Sequence, residues 1–228
     1  MSNTVIVESK NDRIFMQAMV EKLNCDIQLA SPIYIDDYKS LEGLSETELI
    51  KALKNLERKI DRKDIEKIGI IIDIDNCSEE ERLKFVDRCI EPVFKAESLS
   101  STKQFIDICT DHGTKAKLAC YFTNFGGQGE LETLLKAIKA KDSPHADCLD
   151  SWRDCLKEKG KEIKQKDFNK FWINNYIRYD TCSKQDQKQA GRKCSMSEFE
   201  YVMENKKDIW DWGNPALEDL KEFFTLFC

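Results

Sequence analysis

Apolar residues recur along this chain in two rhythms, and their succession predicts strands and helices in turn. Val5-Ile6-Val7 and the Ile68 to Ile74 segment are runs of a strand buried on both faces, while Asp26 to Ala30 reads as a short strand. Between them the apolar positions fall three or four apart: Ile14, Phe15, Met19, Val20 and Leu23 form one helical stripe. Ser45 with Glu48 opens a second helix, reaching about Asp61. Ser78, followed by Glu79, Glu80 and Glu81, opens a third that is expected to run to about Ala96. Phe105 to Thr110 and Lys117 to Phe122 predict two further strands. Asp111-His112-Gly113 between them is a hairpin signal, which adds an antiparallel edge. This alternation predicts an α/β fold with a mainly parallel sheet flanked by helices.

From Lys141 onward the strand runs stop and tryptophans enter. Ser143-Pro144 and Asn214-Pro215 each place a cap before a proline at a helix start, the second ahead of a terminal helix carrying Leu217, Leu220, Phe223, Phe224 and Phe227. The expected division is therefore a sheet domain over residues 1–140 and a helical C-terminal subdomain over 141–228, packed on it.

Parallel strands collect functional groups at their carboxyl ends, which gives the acids that follow two of these runs a chemical meaning. Glu8 follows Val7, with Asp12 four positions on, and Asp73-Ile74-Asp75 closes the isoleucine run. In an extended chain residues i and i+2 point the same way, so Asp73 and Asp75 are expected to share one cation. A third acid, Glu132, comes after Gly126-Gly127-Gln128-Gly129 and is expected in the first turn of the next helix. Clustered carboxylates suit a hard divalent cation such as Mg²⁺ or Mn²⁺. Acids at strand ends also often do no more than cap turns.

In this order, Glu8-Ser-Lys-Asn-Asp12, Asp73-x-Asp75 and Gly129-x-Leu-Glu132 resemble the Toprim module of topoisomerases, bacterial primases and overcoming-lysogenization-defect (OLD) nucleases. The chain looks most like small stand-alone Toprim proteins of a poorly characterised bacterial family. Such proteins often carry Pro-Asp-Asn ahead of the glycines, where this chain has Phe122-Thr123-Asn124. The resemblance implies a Toprim-like fold and hydrolysis of nucleic-acid phosphodiesters, with DNA favoured over RNA, assisted by one or two Mg²⁺ or Mn²⁺ ions. It assigns Glu8, Asp73 and Asp75 to the primary metal, with Glu8 doubling as general acid or base. Asp12 and Glu132 would hold a second ion or orient the first. OLD-type nucleases add a lysine from outside the module, for which Lys170 is the candidate ahead of Lys166 and Lys184. By the same analogy a separate ATPase is an expected partner, phage defence or DNA repair is the setting, and paired cuts by single sites would call for a homodimer.

Composition narrows the picture further. At 228 residues and 26.5 kDa the chain is too short for a complete topoisomerase. No apolar run approaches the ~20 residues of a membrane span, and the N-terminus enters a strand at once, so a cytoplasmic protein without membrane association is expected. Ten cysteines are scattered with no Cys-x-x-Cys, and histidine occurs only at positions 112 and 145. Cys77, Cys89, Cys109 and Cys120 are thus expected as buried thiols rather than zinc ligands. The net charge of −6 speaks against a protein that coats nucleic acid. Lys157, Lys159, Lys161, Lys164, Lys166 and Lys170 nonetheless cluster against Glu158, Glu162 and Asp167, with Phe168, Phe171, Trp172, Tyr176 and Tyr179 beside them. A solvated helix face and core aromatics are the ordinary explanation; a phosphate-backbone track is the functional one.

Two other functions compete. Ile70 to Asn76 also resembles the nucleophile strand of haloacid-dehalogenase-like phosphatases, but Cys77 stands where that family has Thr or Val, and a strand bearing Glu8 precedes the motif. A module that binds metal and nucleic acid, or a partner, without cleaving is the non-enzymatic alternative.

Overall fold

The computed structural model describes residues 2–33 and 44–228. The chain divides into two compact units, Met1–Gln128 with Glu218–Cys228, and Gly129–Leu217. This differs from a boundary at 140/141, and it returns the terminal helix to the sheet-bearing unit.

In the first unit the described residues form a six-stranded mixed sheet, mostly parallel and flanked by helices. Its strands are β1 (Ser2–Val7), β2 (Ile27–Leu29), β3 (Ile65–Asp73), β4 (Lys95–Ala96), β5 (Ile106–Cys109) and β6 (Lys115–Thr123), in the order β2-β1-β3-β6-β5-β4. β2, β1, β3 and β6 run parallel, whereas β5 and β4 are antiparallel additions at one edge. After Glu66 and Lys67, isoleucine dominates β3 because both of its faces are covered, so Ile68 to Ile72 carry no polar residue before Asp73. One face packs Ile68, Ile70, Ile72, Leu118, Cys120 and Phe122 against Leu49, Leu53 and Leu56 of α2 (Glu46–Asp61) and Leu83 and Val86 of α3 (Glu79–Ile90). The other face carries Val5, Gly69 and Tyr121, which meet the rings of the terminal helix.

Local signals explain where elements begin and end. α1 (Lys10–Leu23), α2 and α3 start at Ser9, Ser45 and Ser78, whose hydroxyls each accept a backbone N–H three residues on. Contrary to the expected helix to Ala96, α3 stops at Ile90, because Pro92 has no N–H to offer the carbonyl of Arg88, and Lys95–Ala96 instead pairs with β5. The hairpin between β5 and β6 closes through Thr110 and Thr114, with Gly113 at φ +84.

The second unit is helical: α4 (Leu131–Ala137), α5 (Pro144–Glu158), α6 (Gln165–Asn175), a π-helical turn at Tyr176–Asp180, α7 (Ala190–Lys193) and α8 (Phe199–Asn205). In its core Trp172 stacks on Tyr176, and Trp210 meets Tyr176 at a tilt, with ring centroids 5.5 and 5.6 Å apart. Asp180 accepts the N–H groups of His145 and Ala146, capping α5 from a distance where Ser143 makes no side-chain cap. Cys182 and Cys194 form a disulfide across the loop they flank.

α9 (Glu218–Thr225) belongs to the first unit. Phe223 and Phe227 approach Gly69, Asn3 Nδ2 donates to the Phe227 carbonyl at 2.6 Å, and Lys103 reaches Asp219 and Glu222. Cys25 and Cys228 form a second disulfide, tying the end of α1 to the C-terminus.

Candidate functional site

Three adjacent parallel strands end almost level, since Val7 pairs with Ile71 and Asp73 with Thr123. Their carboxyl ends therefore present Glu8, Asp73 and Thr123 side by side, as an open α/β sheet places its functional groups. Glu8, Asp12 and Asp73 are only 4%, 4% and 8% exposed. Glu8 Oε2 accepts the backbone N–H of Asp73 at 3.2 Å, joining the end of β1 to the end of β3. Asp12 has a local task as well: its Oδ2 accepts from Ser9 N at 2.9 Å and from Ser9 Oγ at 2.6 Å, completing the α1 capping box.

Asp75 departs from the expected pairing with Asp73. Strand β3 ends at Asp73, and Asp75 adopts a left-handed backbone at φ +54, so the i, i+2 rule for extended chain no longer applies. Its carboxylate is ion-paired with the Arg82 guanidinium, and Arg82 Nε donates to the Ile74 carbonyl at 3.3 Å. Arg82 is itself buried on α3. An Arg–carboxylate pair of this kind neutralises Asp75 within the protein.

After β6, Asn124 closes the glycine turn, donating from Nδ2 to the Phe122 carbonyl at 2.7 Å and accepting Gly127 N–H at 3.0 Å. Gly126 and Gly127 both have positive φ. Beside it, Thr123 Oγ1 lies on a residue 1% exposed and has no hydrogen-bond partner among the described residues. A buried hydroxyl without a partner is costly, and an oxygen-seeking ligand would relieve it.

Glu132 and Lys170 belong to the second unit. Glu132 lies in the first turn of α4, as expected, and is half-buried. Lys170 is half-buried on α6, and Lys166 precedes it by one turn. The more enclosed carboxylate here is Glu130, which sequence reasoning passed over. It accepts from Asn169 Nδ2 and Thr133 Oγ1, each at 3.2 Å, and sits in the N-cap position of α4. Gly129 has φ +101, and a Cβ there would collide with the Thr133 side chain. The signal was present, since an acid immediately ahead of Leu131-x-x-Leu134-Leu135 occupies a cap position.

Among the described residues, no three His, Cys, Asp or Glu side chains are grouped closely enough to hold a metal ion. The donor chemistry at the strand ends nevertheless fits a hard divalent cation: Glu8, Asp12 and Asp73 are buried oxygen donors, and Thr123 offers a further oxygen. Asp75 fits less well because Arg82 already balances it.

The fold and this edge define an α/β protein with buried carboxylates where parallel strands end. Residues 2–228 match a protein family described as a protein of unknown function, DUF3226, and the chain belongs to that family. No curated protein matches it. No helix among the described residues is long and apolar enough to cross a membrane.

Proposed function

We propose that this protein is a Mg²⁺- or Mn²⁺-dependent phosphodiesterase acting on nucleic acid, of the Toprim type that its motifs resemble. The observation that carries this reading is the junction of Glu8 with the Asp73 backbone at the level carboxyl ends of β1 and β3, beside the unpartnered Thr123 hydroxyl. Glu8, Asp73 and Asp12 would hold the ion, which when bound lowers the pKa of water and offsets phosphate charge. Glu8, which accepts the Asp73 N–H at the strand end, is the group proposed to take or return a proton, as the resemblance implies. Asp75, through Arg82, holds the turn that follows Asp73. The resemblance also gives roles to Glu132, as a holder or orienter of an ion, and to Lys170, as a cation for the transition-state phosphate; both lie in the second unit. DNA is the favoured substrate, and a separate ATPase and a homodimer are the proposed partners.

The test is incubation of the purified chain with supercoiled plasmid, single-stranded DNA and RNA in Mg²⁺, Mn²⁺ or EDTA, beside Glu8→Gln and Asp73→Asn. Metal-dependent cleavage abolished in both variants supports the proposal, and its absence from folded wild-type protein with every substrate and metal refutes it. The Arg82–Asp75 ion pair, which already engages one of the expected metal-holding carboxylates, favours a second reading, a module that binds metal and nucleic acid without cleaving. Binding of oligonucleotide without products would select it.

A further inference from the structure

Several aromatic residues of the second unit are core: Phe168, Trp172 and Tyr176 are fully buried. Trp152, Phe171 and Tyr179 are exposed, at 40%, 44% and 54%; Tyr179 stacks on His145, whereas Trp152 and Phe171 face each other. The latter two project from neighbouring helices, Trp152 from α5 and Phe171 from α6, and their ring centroids lie 5.4 Å apart with planes inclined at 53°. Two large rings left together in water form an apolar patch that nothing within the unit requires, because Phe168 already anchors α6 beneath Arg153, 4.1 Å from its ring centroid.

The surroundings of this pair are basic. Between Lys157 and Lys170 six lysines face three acids, a net +3 in a chain whose net charge is −6. Lys157, Lys159, Lys161 and Lys164 are exposed on the end of α5 and the α5–α6 connection, where Gly160 turns the chain at φ +66. Lys159 lies seven residues after Trp152 and Lys164 seven before Phe171. On a helix that interval returns to the same stripe about 10 Å along, so both lysines stand toward the hairpin end of the aromatic pair.

We infer that the α5–α6 hairpin is a docking strip for single-stranded nucleic acid, with bases stacking on Trp152 and Phe171 and the backbone tracking Lys159, Lys161 and Lys164. The pairing of exposed rings with positive charge selects this occupant: bases offer a π face at every position and phosphates run alongside, whereas an acidic peptide would need the lysines but not the rings. The inference deepens the proposed function by naming strandedness, and it rests on nucleic acid being the substrate. Its test is nonetheless independent of cleavage.

The experiment is fluorescence anisotropy of labelled dT and rU 20-mers with the full chain in EDTA, at 50 and 200 mM salt. The variants are Trp152→Ala/Phe171→Ala and Lys159→Ala/Lys161→Ala/Lys164→Ala, each first checked by circular dichroism for retained fold. Losing the rings should weaken binding about tenfold or more at both salt concentrations and leave the salt slope intact. Losing the lysines should flatten the slope of log K against log salt by about 2, at about 0.7 per phosphate contact. A further duplex 20-mer should bind more weakly than the single strands. The inference is overturned if folded wild type does not bind, if the ring variant binds as wild type while the lysine variant does not, or if the ring variant instead converts a dimer to a monomer in sedimentation velocity. Binding in EDTA with no cleavage in Mg²⁺ would keep this strip and refute only the hydrolytic reading.

Discussion

Gly69→Ala tests the packing that brings β1 and β3 into register beneath the candidate site. A Cβ at residue 69 would lie 2.7 Å from Val5 Cγ2, 3.0 Å from Phe227 Cζ and 3.2 Å from Phe223 Cζ, against ordinary carbon contacts of about 3.5–4.0 Å. Val5 is the residue paired with Gly69 across the β1–β3 ladder, and all three neighbours are buried, so none can swing into solvent. Overpacking of this kind costs about 3 kcal/mol at the upper end of its usual range. Replacing glycine where backbone strain is absent returns about 0.4–1 kcal/mol by restricting the unfolded chain. The net loss is about 2 kcal/mol, read as a fall in Tm of about 4–8 °C for a chain of this size. Val5→Ala alone should cost about 2 kcal/mol as a cavity, yet the double variant should cost at least 1 kcal/mol less than the sum, because the new methyl fills the space Val5 vacates. Urea denaturation of the four proteins closes the cycle. A Gly69→Ala midpoint equal to wild type, or additivity within about 0.5 kcal/mol, would refute the packing argument.

Further outcomes follow from other parts of the molecule. At a free Mg²⁺ concentration about 100-fold above Kd, binding should stabilise the wild type by about 2.7 kcal/mol, and Glu8→Gln should abolish most of that thermal shift while remaining folded; a full shift in the variant would remove Glu8 from the ion site. The Cys182–Cys194 disulfide joins residues 12 apart in sequence, worth about 3 kcal/mol by loop closure, so Cys182→Ser/Cys194→Ser should melt below oxidised wild type and match it once both are reduced. Asp186 is held down at about 2 by hydrogen bonds from Lys206 and then Lys193. A carboxyl lowered in the folded state stabilises above its unfolded pKa of about 3.9 and loses that contribution as pH falls through about 2. The urea-midpoint gap between wild type and Asp186→Asn should therefore be full at pH 6 and shrink between about pH 4 and pH 2; a gap independent of pH would refute it.

How much of this was legible in the sequence depended on whether the deciding interaction was local. The Ser45 and Ser78 caps, the hairpin at Gly113 and the isoleucine run of β3 each follow from residues within a few positions, and each is found where the pattern put it. Pro92 was a local signal too, and it ends α3 at Ile90, six residues short of the expected Ala96. The position of α9 was not legible, because its phenylalanines suit any apolar surface; what fixes it is the absence of a side chain at Gly69, more than 150 residues away. The two disulfides were hidden for the same reason, since scattered cysteines carry no pairing information in their spacing. At the site, Glu8 and Asp73 could be read from the strand ends, but parity failed at Asp75 because a single left-handed residue breaks the alternation.

That residue also separates the two readings of the strand-end acids. Asp75 is paired with a guanidinium that is buried, hydrogen-bonded to the Ile74 carbonyl and fixed on α3, so its charge is balanced from within the fold. If Asp75 were a metal ligand, Arg82 would compete with the cation for the same oxygen, and Arg82→Gln should tighten Mn²⁺ binding by about tenfold, as expected when a nearby positive charge is removed from a partly enclosed site. If Asp75 serves to hold the turn after Asp73, the same substitution leaves a carboxylate without its cation, costs about 1–3 kcal/mol of stability, and leaves Mn²⁺ affinity unchanged or weaker. Calorimetric titration of Mn²⁺ into both proteins, with urea midpoints alongside, decides between them. The geometry favours the second outcome, since an arginine buried on its own helix and bonded at two points is a poor candidate for displacement; tenfold tighter binding with no loss of stability would overturn that view and restore Asp75 to the ion.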